Sequence, residues 1–165
     1  MSSNDVKAVA DFFIADFEHE MQTTLRVMGA VPADRLDYQP DAKAKTGLGL
    51  VRHITLEDEW ILNSIADGVF ARPPDPSDAC GIMNPADAIA IYKEKIPAAL
   101  ARVGALPAEK LMANIDLLGM VQMPAINFLA MALKHSVHHR GQLSTYLRPM
   151  GGKNPSIYGP SADTQ

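Results

Sequence analysis

The chain has 165 residues, 47% of them hydrophobic and 21% charged, with a formal net charge of −4, so we expect an ordinary globular protein with one domain over residues 1–165. Its single cysteine, Cys80, excludes an internal disulfide and a cysteine-rich zinc site. The basic residues are scattered, which argues against a nucleic-acid partner. The apolar runs are far shorter than the ~20 residues of a membrane span, and no signal-peptide pattern is present. We therefore expect a cytoplasmic protein that binds neither nucleic acid nor membrane.

Four segments have apolar residues three or four positions apart, which is the pattern of an amphipathic helix. Asn4, Thr46 and Asn84 are the expected N-caps of the first three segments, and glycine or proline follows each segment. The predicted helices span residues 4–29, 46–67, 84–103 and 124–147. Residues 106–123 lack a clean period, and LLGMVQMP is compatible with a short extended piece. Four helices without convincing strands predict an all-α helix bundle.

Three of the five histidines lie in LKHSVHHRGQL, residues 133–143. His135 and His139 are four residues apart, so in a helix they lie one turn apart on one face. That face is otherwise mostly apolar, and both rings are expected to point into the bundle. His138 lies at the edge of the face and is expected to stand apart. The only other histidine on an apolar helical face is His53.

These three inward histidines have two interpretations. They are either core residues whose ring nitrogens bond to neighbouring groups, or the ligands of a divalent metal ion held between helices. The HExxH pattern of metalloproteases and the Glu-x-x-His pattern of di-iron bundles are both absent. On the metal interpretation, a mononuclear three-histidine site remains, with a fourth position open. Three imidazoles suit zinc, nickel, copper or iron, and zinc or nickel is the expected ion.

Other polar residues near these histidines also have two interpretations. Glu57 follows His53 by one turn, and it is either a proton acceptor or orienting group for the site or an ordinary acid at the helix border. Arg140 and Gln142 either line the rim of the pocket or hold the last helix against a neighbour. Gly141 costs about 1 kcal/mol in mid-helix relative to alanine, which suggests a close helix approach or a substrate passage.

Three stretches together resemble the DinB/YfiT-like superfamily of metal-dependent four-helix bundles. They are GLVRHITLEDEW in the second helix, HSVHHRGQL in the last helix and LRPMGGKNPSIYG after it. The early connection VPADRLDYQP fits the same family, so the resemblance covers nearly the whole chain. The H-x3-H-R-G-Q element with an upstream histidine in the second helix is its most specific part.

This resemblance implies an up-down-down-up bundle with His53, His135 and His139 as the metal ligands. It also implies a homodimer and a thiol-dependent S-transferase that uses a low-molecular-weight thiol, such as bacillithiol or mycothiol, on a small electrophile. Glu57 would then be the catalytic proton acceptor. Two alternatives stay open, namely a metal-dependent hydrolase at the same site and a non-catalytic protein that binds a metal or small ligand under stress.

Overall fold

The computed structural model describes residues 2–165, which form five helices and two short strands. In chain order they are α1 (Ser3–Gly29), α2 (Gly47–Asp67), α3 (Pro85–Gly104), α4 (Ala108–Met112), β1 (Asn114–Leu117), β2 (Val121–Pro124) and α5 (Ala125–Leu147). The four long helices are those that the apolar period predicted, and α4 was not predicted.

Side chains cap the three helices for which the sequence predicted a capping residue. The Thr46 hydroxyl accepts a backbone N–H bond at the start of α2, and the Asn84 side chain does the same for α3, as predicted. For α1 the predicted cap, Asn4, is wrong. The helix begins earlier, and Ser2 and Asp5 form a reciprocal capping box in which each side chain accepts from the other's backbone N–H.

Polar contacts along α2 and α3 show that these two helices run parallel. The Tyr92 hydroxyl of α3 bonds to Asp58 of α2, and further along both helices Arg102 bonds to Asp67. Parallel neighbours need a connection that returns along the length of the bundle. Residues 68–84 make this connection, and they contain only the 3-10 turn Asp78–Cys80.

The directions of α5 and α1 complete the bundle. Tyr146, near the end of α5, donates to the Lys45 carbonyl just before α2, so α5 is antiparallel to α2. Lys7, near the start of α1, donates to the Gly104 carbonyl at the end of α3, so α1 is antiparallel to α3. The long helices therefore run up, down, down and up, and the all-α four-helix bundle expected from the family resemblance is confirmed.

A small antiparallel hairpin precedes α5. Strand β2 lies in the stretch where the sequence was compatible with an extended piece, and it pairs with β1 from Asn114 opposite Pro124 to Leu117 opposite Val121. The tight turn places Leu118 at φ 51° and Gly119 at φ 77°, a left-handed conformation that costs little for the glycine. The sequence did not predict β1.

The core lies between the four long helices, which supply most of its apolar side chains. Its largest fully buried apolar members include Phe17, Ile54, Leu62, Tyr92, Ile96, Leu100 and Phe128. No helix among residues 2–165 is both long enough and apolar enough to cross a bilayer. Since α5 lies between α1 and α2, its two flanks face different neighbours.

Candidate metal centre

The three histidines that the sequence singled out lie together in the structure. His53 of α2 meets His135 and His139 of α5, and each offers a ring nitrogen within 4.8 Å of those of the other two. The His53 Nε2 and His139 Nε2 atoms are 3.0 Å apart. We call these three residues the histidine cluster. The antiparallel packing of α2 and α5 produces it, because the i, i+4 pair on α5 faces the single histidine on α2.

Two histidines of the cluster have their outer nitrogens bonded to oxygen acceptors. His135 Nδ1 lies 3.3 Å from Asp58 Oδ1, and His139 Nδ1 lies 2.7 Å from Gln142 Oε1. Carboxylate and amide oxygens only accept, so each Nδ1 carries the proton and each Nε2 keeps its lone pair. A hydrogen bond from the outer nitrogen to an oxygen is how proteins orient metal-binding histidines.

Asp58 belongs to a buried hydrogen-bonded chain that reaches α3. Its carboxylate is completely buried and accepts a 2.7 Å bond from the hydroxyl of Tyr92, which is also completely buried. Ser136 of α5 lies 3.3 Å from the same hydroxyl, and it donates because the tyrosine proton goes to Asp58. Three helices thus fix the carboxylate that orients His135.

Two rings of the histidine cluster, those of His53 and His139, favour the neutral form. Burial, together with charge on the neighbouring His139 and His135, lowers the pKa of His53 from 6.5 to about 3. Burial also lowers the pKa of His139, which the Gln142 hydrogen bond partly offsets. Metal ions bind the deprotonated imidazole, so the rings of His53 and His139 are held in the form that ligates.

The donor set fits a divalent ion of the zinc type. Three convergent imidazole nitrogens suit such an ion, and among residues 2–165 no further histidine, cysteine or carboxylate joins the group. Three protein ligands leave a position for an exogenous molecule, which is the arrangement of catalytic rather than structural zinc sites. The assignment of His53, His135 and His139 as ligands stays a prediction, now supported by their geometry.

Glu57 faces a cavity beside the histidine cluster. The cavity has a volume of about 330 Å³, and its lining comprises Lys45, Thr46, Gly49, His53, Leu56, Glu57, Pro74 and Pro76. Glu57 Oε1 is 3.9 Å from His53 Nδ1, which is too far for a hydrogen bond. Burial raises the pKa of this carboxyl group. Glu57 is therefore placed to meet a molecule in the cavity rather than to hold His53.

The residues around His139 on α5 have separate environments. His138 is exposed and lies outside the cluster. Gln142 holds His139, as described above. A Cβ built on Gly141 would meet nothing within 4 Å, so of the two predicted explanations for this glycine the close helix approach is wrong, and the substrate passage stays a prediction. Gly141 faces solvent, and no neighbouring element of the described chain contacts α5 at this position.

Arg140 holds α5 against α1 rather than lining the cavity. It is almost fully buried, and its guanidinium forms an ion pair with Glu20 and donates a 2.6 Å bond to the Tyr158 hydroxyl. Tyr158 in turn donates a 3.0 Å bond to the Glu20 carboxylate. We call Glu20, Arg140 and Tyr158 the arginine cluster. Of the two sequence interpretations of Arg140, the structure supports contact with a neighbouring helix.

Sequence reasoning missed Asp58 and Tyr92, although a signal was present. Asp58 lies four residues after Ile54 and three before Ile61, so it is on the apolar stripe of α2, where an acid needs a buried partner. Tyr92 lies on the apolar stripe of α3, where its hydroxyl also needs a partner. Both features indicate a buried polar pair, but only helix packing shows that His135 shares it.

Comparison with known proteins agrees with this architecture. A model of the DinB family matches residues 1–165. YrdA of Bacillus subtilis (strain 168) is 27% identical over 157 residues, which cover 93% of this chain and 90% of YrdA.

Solved structures with the same fold come from two Bacillus species. The DinB-like YjoA of B. subtilis aligns with a TM-score of 0.70 and 22% identity over 90% of this chain and 99% of its own. A DinB-like protein of B. cereus gives a TM-score of 0.73 and 20% identity over 88% of this chain and 95% of its own. A third structure is that of B. subtilis YfiT, which is described as a probable metal-dependent hydrolase with an unusual four-helix bundle topology. It gives a TM-score of 0.72 and 17% identity over 87% of this chain and 89% of its own.

Proposed function

This chain belongs to the DinB family, and from this premise we propose that it is a metal-dependent enzyme that activates a small nucleophile for attack on a small electrophile. One observation carries the proposal. The Nε2 atoms of the histidine cluster converge while the outer nitrogens of His135 and His139 are bonded elsewhere, and a cavity with a carboxyl group lies beside them. A divalent ion held there, zinc or nickel in the first instance, would lower the pKa of a thiol or water toward neutrality.

The residues of the chain divide the remaining tasks between them. The ion would be held by His53, His135 and His139. Asp58 holds the ring of His135 in place, and Gln142 holds that of His139. Glu57 accepts the proton that the nucleophile releases, because its carboxyl group lines the cavity and is not hydrogen bonded to His53. The cavity of about 330 Å³ is at the lower end of the range for small-molecule sites. A small electrophile is therefore the expected substrate.

A low-molecular-weight thiol is the first nucleophile that we propose, following the family resemblance. The thiol gives its proton to Glu57, a new bond forms between sulfur and the electrophilic carbon, and the leaving group departs with the electron pair. Hydrolysis, with water as the nucleophile, is the second candidate, since the structurally similar YfiT is described as a hydrolase.

One activated ester distinguishes these reactions. The metal-loaded protein is incubated with 4-nitrophenyl acetate with and without added cysteine, and 4-nitrophenolate release is compared with that of the apo-protein. Thiol transfer predicts a metal-dependent rate only with cysteine. An equal rate without thiol would replace transfer by hydrolysis. Rates at background under both conditions would favour a metal-binding protein without this chemistry.

The role of Glu57 has its own control. Glu57→Gln should lower the metal-dependent rate by about 10²–10⁴-fold, the usual contribution of a general base, without loss of bound metal. Glu59→Gln changes a carboxylate on the same helix that does not line the cavity, and it should leave the rate unchanged. Equal rates in the two variants would remove Glu57 from the mechanism.

We also propose a homodimer, which the family resemblance implies. Light scattering during gel filtration should give twice the mass of the chain, and the mass of one chain would contradict it.

A further inference from the structure

The loop over residues 68–84 forms one wall of the cavity next to the histidine cluster. Pro74 and Pro76 of this loop line the same cavity as His53 and Glu57 of α2. A loop of this length with almost no regular structure is uncommon in a compact domain, and such loops often shape a binding site. Something must hold its backbone in place if the wall is to have a fixed shape.

Arg52 is the residue that holds this wall. Its side chain is nearly buried, and the guanidinium donates to three separate points of the loop. Nε bonds the Ile82 carbonyl at 2.7 Å, Nη1 bonds the Pro76 carbonyl at 3.2 Å and Nη2 bonds Asp78 Oδ1 at 2.7 Å. The planar guanidinium has its donors at fixed angles, so three simultaneous bonds define the position of the loop.

The place of Arg52 in the chain links this wall to the candidate metal centre. It directly precedes His53 on α2, so one turn of helix presents a ring to the histidine cluster and a guanidinium to the loop. One of its acceptors is the carbonyl of Pro76, which itself lines the cavity. Any displacement of the loop relative to α2 would change the distance between the prolines and His53.

We propose that Arg52 is a positioning residue that fixes the proline wall of the cavity and thereby determines which ligands reach the open position at the histidine cluster. The proposal rests on the proposed function, because it takes this cavity as the substrate site. Ligands with a compact apolar body are the ones that the proline wall selects, since Pro74 and Pro76 offer no side-chain hydrogen-bonding group.

The test uses Arg52→Met in the cobalt-loaded protein, with Arg102→Met as the matched control. Arg102 also pairs with an aspartate, but half of its side chain is exposed and it lies away from the cavity. Three quantities are measured: bound metal, amide hydrogen exchange of residues 68–84, and the change in the cobalt spectrum on titration with benzyl mercaptan or 2-mercaptoethanol.

In Arg52→Met we expect bound metal to be unchanged and loop exchange to rise at least about tenfold, because charge-assisted hydrogen bonds to the loop are lost. The affinity for benzyl mercaptan, whose large apolar ring is suited to the prolines, should fall about tenfold relative to that for 2-mercaptoethanol, which is smaller and carries a hydroxyl group. Arg102→Met should change neither exchange of this loop nor the ratio of the two affinities.

Three outcomes would overturn the proposal: unchanged loop exchange, an unchanged affinity ratio, or loss of metal in Arg52→Met, which would mean that Arg52 acts on His53 and not on the wall. Should Arg52→Met fail to fold, Asp78→Asn decides, since it weakens one bond at an exposed side chain and should give smaller changes in the same directions. A wild-type spectrum that responds to neither thiol would contradict the proposed function, and loop exchange alone would then decide the role of Arg52.

Discussion

His139 and Arg140 are neighbours in the chain, yet α5 directs them into two clusters with different chemistry. In the arginine cluster the guanidinium is matched by the Glu20 carboxylate, and Tyr158 bonds to both. In the histidine cluster the outer nitrogens of His135 and His139 have partners, but the three inner nitrogens face one another, and no carboxylate of the described residues joins them. A polar cluster complete in itself holds helices together, whereas one with converging lone pairs is suited to an added ion.

The largest effect is expected from breaking the arginine cluster. Arg140→Met leaves the buried Glu20 carboxylate without its partner, which should lower the free energy of unfolding by about 3–5 kcal/mol. The double variant Glu20→Leu, Arg140→Met should recover much of that loss. Denaturant unfolding measures both. If the folded fraction of Arg140→Met also lost its metal, the two clusters would not be independent as described.

The next effect concerns the buried carboxylate behind the histidine cluster. Asp58→Asn should weaken metal binding about 10–100-fold, because a hydrogen-bonded carboxylate orients the ligand and raises its basicity. Tyr92→Phe, which removes the hydroxyl that bonds to that carboxylate and to Ser136, should have a smaller effect in the same direction. Chelator competition measures the affinity, and Asp67→Asn on the exposed end of α2 is the control. An Asp58→Asn affinity equal to that of the control would contradict this role.

The stability of the apo-protein should depend on pH through the histidine cluster. The unfolded chain takes up a proton at His53 near pH 6.5, but the folded chain does so only near pH 3, since burial lowers this pKa. The unfolded state therefore binds more protons within this window, and stability falls as the pH is lowered through it, by up to about 1.4 kcal/mol per pH unit for one histidine. His139 shifts in the same direction.

Denaturant unfolding of the metal-free protein between pH 7 and pH 5 measures this slope, above the range in which most carboxylates are protonated, about pH 4. His53→Gln should make the slope shallower. His138→Gln, at an exposed ring, should leave it unchanged. Identical slopes in the two variants would mean that the histidine cluster is not the source of the acid sensitivity.

The smallest effect is expected on the solvent-facing side of α5, between the two clusters. Gly141→Ala should raise the free energy of unfolding by about 0.5–1 kcal/mol, because the new Cβ meets nothing and alanine favours helix. Gly152→Ala should do the opposite, since its Cβ would lie 2.9 Å from the Ala30 carbonyl oxygen. A lower free energy of unfolding in Gly141→Ala would contradict the open space around this residue.

The sequence was sufficient for the parts of the molecule that depend on local pattern. Helical period and capping residues such as Thr46 and Asn84 located the long helices, and the i, i+4 spacing of His135 and His139 placed both rings on one face. Together with the family resemblance, this predicted the topology and the three members of the histidine cluster.

The parts that depend on packing between distant segments could not be predicted. Glu20 and Arg140 are 120 residues apart, and nothing local pairs them. Which oxygen holds His135 depends on how α5 is rotated against α2, and period alone does not set this rotation. Strand β1 was missed because four residues are too few to show an alternating pattern next to an irregular segment.

Metal content tests the central claim most directly. Wild-type protein, loaded with zinc or nickel and freed of excess, should hold about one equivalent by elemental analysis, as expected for a mononuclear site. His53→Ala and His139→Ala should each lose it while keeping helical circular dichroism, and His138→Ala should retain it. A wild-type protein that binds no metal, or a loss in His138→Ala equal to that in His139→Ala, would contradict the account.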